Sequence, residues 1–196
     1  MKSLLLNTMV VLCFVCGSLA VAAENGAPMG GMDHGAMVGS DSVEPLDMRW
    51  DSQNDAAFLS GMIAHHQGAI DMTRAIAGKT KDLDVRRWAG DIVRVQEDEI
   101  RAMRDMLADL GLQDEDAAKV MRRHMEEMMA NPVSHDPEVN YVALMIPHHA
   151  GAIDMSVPAL IMSDNKEIRA LAENIIVSQA KEIAEFRKWL DKRDTL

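Results

Sequence analysis

The feature that most limits the fold of this chain is a long internal repeat. The segment MIAHHQGAIDM at residues 62–72 recurs as MIPHHAGAIDM at residues 145–155. The same offset aligns residues 55–107 with residues 138–190 without a gap. A repeat of this length exceeds one ordinary helix or strand, so it predicts a duplicated unit of at least two elements.

The repeated unit has a helical pattern. Apolar residues recur at the spacing of an amphipathic helix, and no stretch of any length alternates as a strand would. The predicted helices are residues 52–77, 83–110, 115–130, 137–162 and 165–192. Each copy then holds a helical hairpin, and the shorter third helix connects the copies. Two such hairpins bury their apolar faces by packing together, which predicts an all-α four-helix bundle over residues 52–196.

Capping residues indicate where these helices begin and end. The predicted N-caps are Ser52 or Asn54, Asp82, Asp136 and Asp164. Glu167 would complete a capping box with Asp164. Pro137 suits the first turn of the fourth helix. Gly78 and Gly111 would follow the last turns of the first and second helices.

The N-terminal part differs in composition from the rest of the chain. Residues 1–23 combine an early lysine, an uncharged stretch and small terminal residues, which is typical of a secretory signal peptide. Both cysteines, Cys13 and Cys16, fall within it. Residues 24–51 are rich in Gly and lack periodicity, which predicts disorder. We therefore expect a periplasmic or secreted protein without disulfides and without membrane attachment after cleavage.

Methionine and histidine are concentrated in a few clusters. The chain has 17 methionines and 7 histidines. At about 100° per residue, Met62, His65 and Met72 share one helical stripe, and His66 lies on its shoulder. The candidate metal ligands are Met62, His65, His66 and Met72 in the first copy; Met145, His148, His149 and Met155 in the second; Met121, His124, Met125 and Met128 on one face of the third helix; and Met29, Met32, His34 and Met37 in the N-terminal segment.

Polar residues beside these stripes have predicted supporting roles. Gln96 and its repeat Gln179 sit at the centre of apolar stripes, so we expect the imidazoles opposite to be their hydrogen-bond partners. Glu99 and Glu182 flank the same stripes and are predicted to orient histidines. By contrast, Asp71 and Asp154 fall on the opposite side of their helices, where a solvated charge is expected.

The ligand types indicate the class of metal. Thioether sulfur and imidazole nitrogen suit Cu(I), and Ag(I) by the same softness, whereas carboxylates suit harder ions. Di-iron bundles use Glu-x-x-His motifs, and none occurs in this sequence. Where that motif has glutamate, this chain has methionine, as in Met62/His65 and Met145/His148. The formal net charge of −11 favours cations and argues against nucleic acid as a partner.

The repeated MIxHHxGAIDM motif with the downstream Q-x-x-E-I resembles the secreted bacterial family catalogued as domain of unknown function 305, and within it the CopM-like periplasmic copper-binding proteins. The similarity covers about residues 52–190. It implies a ferritin-like four-helix fold, a copper-binding role in metal tolerance and no enzymatic activity. Copper-efflux or copper-oxidase proteins of the periplasm are the protein partners that such a role would involve.

The sequence therefore predicts extracytoplasmic binding of monovalent copper or silver for sequestration, transfer or resistance. Two alternatives stay open. One is a ferritin-like redox enzyme that oxidises Cu(I) or Fe(II). The other is a structural bundle in which methionine and histidine only pack, since methionine fills irregular gaps well. The number of ions, the sharing of a site between the copies and the oligomeric state are not fixed by the sequence.

Overall fold

The structure is a computed structural model that describes residues 50–194. This part of the chain is helical and contains no strand. Its helices are α1 (Ser52–Ala77), α2 (Leu83–Leu110), α3 (Glu115–Ala130), α4 (Pro137–Met162) and α5 (Lys166–Asp194). The predicted signal peptide and the N-terminal ligands Met29, Met32, His34 and Met37 lie outside the described residues.

Most predicted helix boundaries are confirmed, but the cap of α1 is wrong. The N-cap is Asp51, whose side chain accepts from the backbone N–H of Gln53 at 2.9 Å and of Asn54 at 3.2 Å. Asn54 in turn accepts from the backbone N–H of Asp51 at 3.0 Å. This reciprocal pair is a capping box, and it makes Asn54 the third helical residue rather than the cap.

The cap of α5 also differs from the prediction. The side chain of Asn165, not Asp164, accepts from the backbone N–H of Glu167 at 2.9 Å. Asn165 occupies the repeat position of Asp82, whose side chain caps α2 by accepting from Asp84 and Val85. Equivalent positions in the two copies therefore perform the same capping role, and alignment with Asp82 predicts Asn165 as the cap.

Helix α1 is the centre of the bundle. It packs against α2, α3 and α4, and α5 packs against α4. Thr73 follows His65 along α1, whereas Tyr141 precedes His148 along α4, and the Thr73 and Tyr141 hydroxyls are 3.0 Å apart. Because His65 and His148 also meet, α1 and α4 run antiparallel. The two histidine pairs are thereby placed at the crossing of the central helices.

The crossover helix α3 approaches α1 closely at Gly68. A Cβ atom at Gly68 would lie 2.6 Å from Cγ and 2.9 Å from Sδ of Met125. Only glycine leaves room for this contact without displacing Met125. The position lies one turn beyond His65, so α3 covers the bundle next to the central histidines.

No helix within residues 50–194 is long and apolar enough to cross a membrane.

Replacement of Gly68 by alanine tests the packing of α3 on α1. The new Cβ would clash with Met125, so we expect unfolding free energy to fall by about 1–3 kcal/mol in urea denaturation. Gly90→Ala in α2 is the matched control, because no atom lies within 4 Å of its Cβ position. There helix propensity should raise stability by about 0.8–1 kcal/mol. Equal stabilisation by both substitutions would contradict the close approach.

Candidate metal centre

Four histidines meet where α1 crosses α4. His66, His148 and His149 are fully buried, and His65 is 1% exposed. The ring centroids of His65 and His148 are 3.8 Å apart, at an interplanar angle of 41°. Nε2 of His148 donates to the backbone carbonyl of His65 at 3.1 Å. The structure thus brings the histidines of both repeats into one dry region.

The second histidine of each adjacent pair, here called the outer histidine, is hydrogen-bonded to a carboxylate from the neighbouring helix. Nε2 of His66 lies 2.7 Å from Glu99 of α2, and Nε2 of His149 lies 2.6 Å from Glu182 of α5. The glutamate side chains are 15% and 27% exposed, so each carboxylate keeps access to solvent. These contacts match the predicted orienting role of the two glutamates.

The hydrogen bonds determine which ring nitrogen carries the proton. An ionised carboxylate and a backbone carbonyl only accept, so Nε2 of His66, His148 and His149 must be the N–H. His65 has a backbone hydrogen bond with His148, and its Nδ1 has no partner, so it also uses Nε2. The Nδ1 atoms of all four rings are buried without a partner. Each ring in its neutral form therefore presents a free Nδ1 lone pair inside the bundle.

Burial keeps the first histidine of each pair, the inner histidines His65 and His148, neutral. Loss of hydration, reinforced by nearby His66, His149 and His124, lowers the pKa of His65 to about 3. Burial likewise holds the pKa of His148 well below its usual range, with His65 and His149 acting in the same direction. Neutral imidazole is the form that binds metal, so the lone pairs remain available far below neutral pH.

The two central glutamines do not have their predicted partners. Gln96 and Gln179 are 3% and 2% exposed, and the Oε1 atom of each is buried without a hydrogen bond. The neighbouring carboxylates explain this result, because an ionised acceptor competes better than an amide for an imidazole N–H. The core therefore holds two amide oxygens in addition to four imidazole lone pairs, all without a donor.

The predicted methionine ligands differ in their distance from solvent. Met62 and Met145 are fully buried and lie one turn before His65 and His148 on their helices. Met72 is 8% exposed, and Met155 is half-buried. A Cβ at Gly61 would lie 3.4 Å from Cε of Met155, which places that methyl group against α1.

The predicted cluster on α3 is divided by the packing of that helix. Met125 is buried, Met121 and Met128 are half-buried, and His124 is exposed. His124 nevertheless lies near enough to influence the pKa of His65. Met129, which was not predicted as a ligand, is 40% exposed on the same helix. Its position after Met128 was visible in the sequence, but the cavity beside it depends on how α3 crosses the bundle.

Carboxylates do not assemble into a hard-metal site here. Among residues 50–194, no three His, Cys, Asp or Glu side chains converge as a ligand set for an ion. Asp71 and Asp154 are exposed, as predicted. An ion held by the central imidazoles in this arrangement would need ligands of another type, and thioethers are the groups available on the same helical stripes.

Known proteins are similar to this chain in sequence and fold. The profile of domain of unknown function 305 (DUF305) matches residues 18–107 and 138–195, leaving out the connection that contains α3. An uncharacterized protein, L153, of Acanthamoeba polyphaga mimivirus is 40% identical over 60 residues, covering 31% of this chain and 40% of that protein. The aligned region thus spans less than half the length of this relative.

Two solved structures have a fold similar to that of this chain. A DUF305 fragment from Deinococcus radiodurans has a TM-score of 0.58 and 28% identity, covering 71% of this chain and 96% of the other. CopM in a Cu(I)-bound form has a TM-score of 0.58 and 26% identity, covering 74% of this chain and 98% of CopM. CopM has also been solved in Cu(II)-bound, Ag-bound and apo forms. The profile match spans most of this chain, and the chain belongs to the DUF305 family.

Proposed function

We propose that this protein binds monovalent copper, and silver in its place, outside the cytoplasm through methionine and histidine side chains. The observation that carries the proposal is the set of four buried Nδ1 lone pairs at the crossing of α1 and α4. Buried acceptors without donors are costly in a folded core. Soft cations bound to these lone pairs together with thioethers would remove that cost.

The hydrogen bonds of the histidines support metal binding over simple packing. Histidines that ligate metals typically donate their other ring N–H to a carboxylate or a backbone carbonyl. His66 and His149 donate to Glu99 and Glu182, and His148 donates to the carbonyl of His65. These bonds fix both the tautomer and the orientation of each ring before an ion arrives.

The neighbouring side chains favour a soft ion. Met62 and Met145 supply thioethers on the same stripes as His65 and His148, at a depth that excludes water. Imidazole with thioether suits Cu(I), whereas iron, manganese and magnesium prefer oxygen-rich sites. The structures of CopM with Cu(I) and Ag are consistent with this preference in a protein of the same fold.

A binding role without turnover fits this arrangement. The ion would be held in a core lined by neutral rings and thioethers, and sequestration or transfer in the periplasm would follow. A protein that donates or removes copper, such as an efflux or oxidase component, would be the partner. The acidic chain, with a formal net charge of −11, would raise the local concentration of cations.

Substitution of the two buried methionines tests the thioether ligands. In Met62→Leu with Met145→Leu, side-chain volume is nearly kept, so folding should survive while sulfur is lost. We expect Cu(I) affinity to fall at least tenfold in competition with a coloured chelator under reductant. Met103→Leu in α2 is the control for an equally buried methionine. Equal affinity for the double variant and the control would reject the thioether ligands.

Substitution of the inner histidines tests the imidazole ligands and distinguishes shared from separate binding. His65→Leu with His148→Leu removes two buried polar rings, so the metal-free protein should stay folded by circular dichroism. We expect thermal stabilisation by Ag(I) to decrease, because an ion stabilises only the state that binds it. If His65 and His148 share one ion, either single substitution should abolish its binding. If each histidine binds its own ion, each single substitution should remove one ion. Full stabilisation of the double variant by Ag(I) would reject His65 and His148 as ligands, because the ion would then bind elsewhere.

The depressed pKa of His65 predicts how the metal-free chain responds to acid. The unfolded chain takes up a proton on this histidine near pH 6.5, and the folded chain does so only near the pKa of about 3. The contribution of His65 to stability is therefore greatest above pH 6.5 and falls by about 1.4 kcal/mol per pH unit as the pH decreases toward 3. Urea denaturation of His65→Leu should show a shallower dependence, whereas exposed His135→Gln should not. Identical slopes in all three proteins would contradict a buried neutral His65.

A further inference from the structure

A methionine-lined cavity lies away from the four histidines, where α1, α3 and the start of α4 meet. It has a volume of about 260 Å³ and opens to solvent. Residues from all three helices line it, including Met72, Met129, Asn140 and Tyr141. A cavity of this size can hold an ion with part of its hydration shell.

Two thioethers from different helices reach this cavity. Met72 of α1 is 8% exposed, and Met129 of α3 is 40% exposed. Half-buried Met128 packs against the apolar cluster that contains Met72. Thus the cavity has one thioether fixed in the core and one at the solvent boundary, with a third beside them.

The other polar groups of the cavity are already engaged or are anionic. The side-chain oxygen of Asn140 accepts from the backbone N–H groups of Val133 and Ser134, and the Tyr141 hydroxyl is paired with Thr73. Asp71 is the charged residue of the lining, and no lysine, arginine or histidine contributes to it. The site is therefore anionic, and its uncommitted neutral ligand atoms are the sulfurs.

Packing alone does not explain Met129. A methionine that only fills a gap would be surrounded by side chains, yet Met129 lines open cavities on both of its sides. The neighbouring cavity, of about 300 Å³, is also lined by Asp71 and by Met125, the residue that packs on Gly68. Met129 and Met125, which covers α1 one turn from His65, thus line the same open cavity.

We propose that Met72 and Met129, beside the Asp71 carboxylate, form a second site for a soft monovalent cation, distinct from the buried imidazoles and accessible from solvent. This proposal rests on the proposed function, because the same class of ion would use both sites. Its position makes it the point where an ion is first bound, and Met125 offers the next sulfur toward His65.

The test uses Ag(I) as the probe and the methyl groups of the methionines as reporters. The full chain is labelled with 13C at the methionine methyl groups and titrated with Ag(I), with spectra recorded by NMR. We expect the Met72 and Met129 signals to shift with an early equivalent of Ag(I). Signals of Met72 and Met129 that stay unchanged to saturation, while those of Met62 and Met145 move, would overturn the second site and leave the proposed function intact.

Matched variants measure the stoichiometry. Met72→Leu with Met129→Leu should lose one equivalent of bound Ag(I) and retain binding at the histidines. Met103→Leu with Met106→Leu makes the same chemical change in α2 and should retain every equivalent. Unchanged stoichiometry in the first variant would contradict the second site. No methionine shift and no bound Ag(I) in the unmodified chain would instead reject the proposed function itself.

Discussion

The crossing of α1 and α4 imposes the central constraint on this bundle, because it places four imidazoles where water cannot hydrate them. Such groups are tolerated only when their N–H groups have acceptors. The backbone of His65 serves His148, and Glu99 and Glu182 serve the outer pair. Helices α2 and α5 are therefore attached to the centre by polar contacts as well as by apolar packing.

These contacts leave the same ring nitrogen free in every case. Because each Nε2 is committed as a donor, the remaining lone pairs all belong to Nδ1 atoms inside the core. This gives the core an excess of acceptors, to which the Oε1 atoms of Gln96 and Gln179 add. Soft cations bound to these lone pairs and to thioethers of the same helices would satisfy part of this set, and the proposed function rests on this excess of unpaired acceptors.

Periodicity and the repeat were sufficient to predict the all-α class and most helix ends, since both depend on local pattern. The repeat also predicted that Glu99 and Glu182 would serve equivalent histidines. The sequence did not reveal that the glutamine oxygens lack partners, because that depends on competition with carboxylates one turn away. Nor did it separate exposed His124 from buried Met125, because which face of α3 is buried depends on tertiary packing, including the contact of Met125 with Gly68.

The most direct test of metal binding by the central histidines is to measure which ring nitrogens are protonated and which respond to metal. Long-range proton–nitrogen NMR on uniformly 15N-labelled protein measures both. We expect all four central histidines to be protonated at Nε2 and unprotonated at Nδ1 at neutral pH. Addition of Ag(I) should then shift Nδ1 signals and leave the Nε2 protons in place. Protonated Nδ1 atoms in the metal-free chain, or Nδ1 signals unmoved by saturating Ag(I), would contradict the claim that these lone pairs bind the ion.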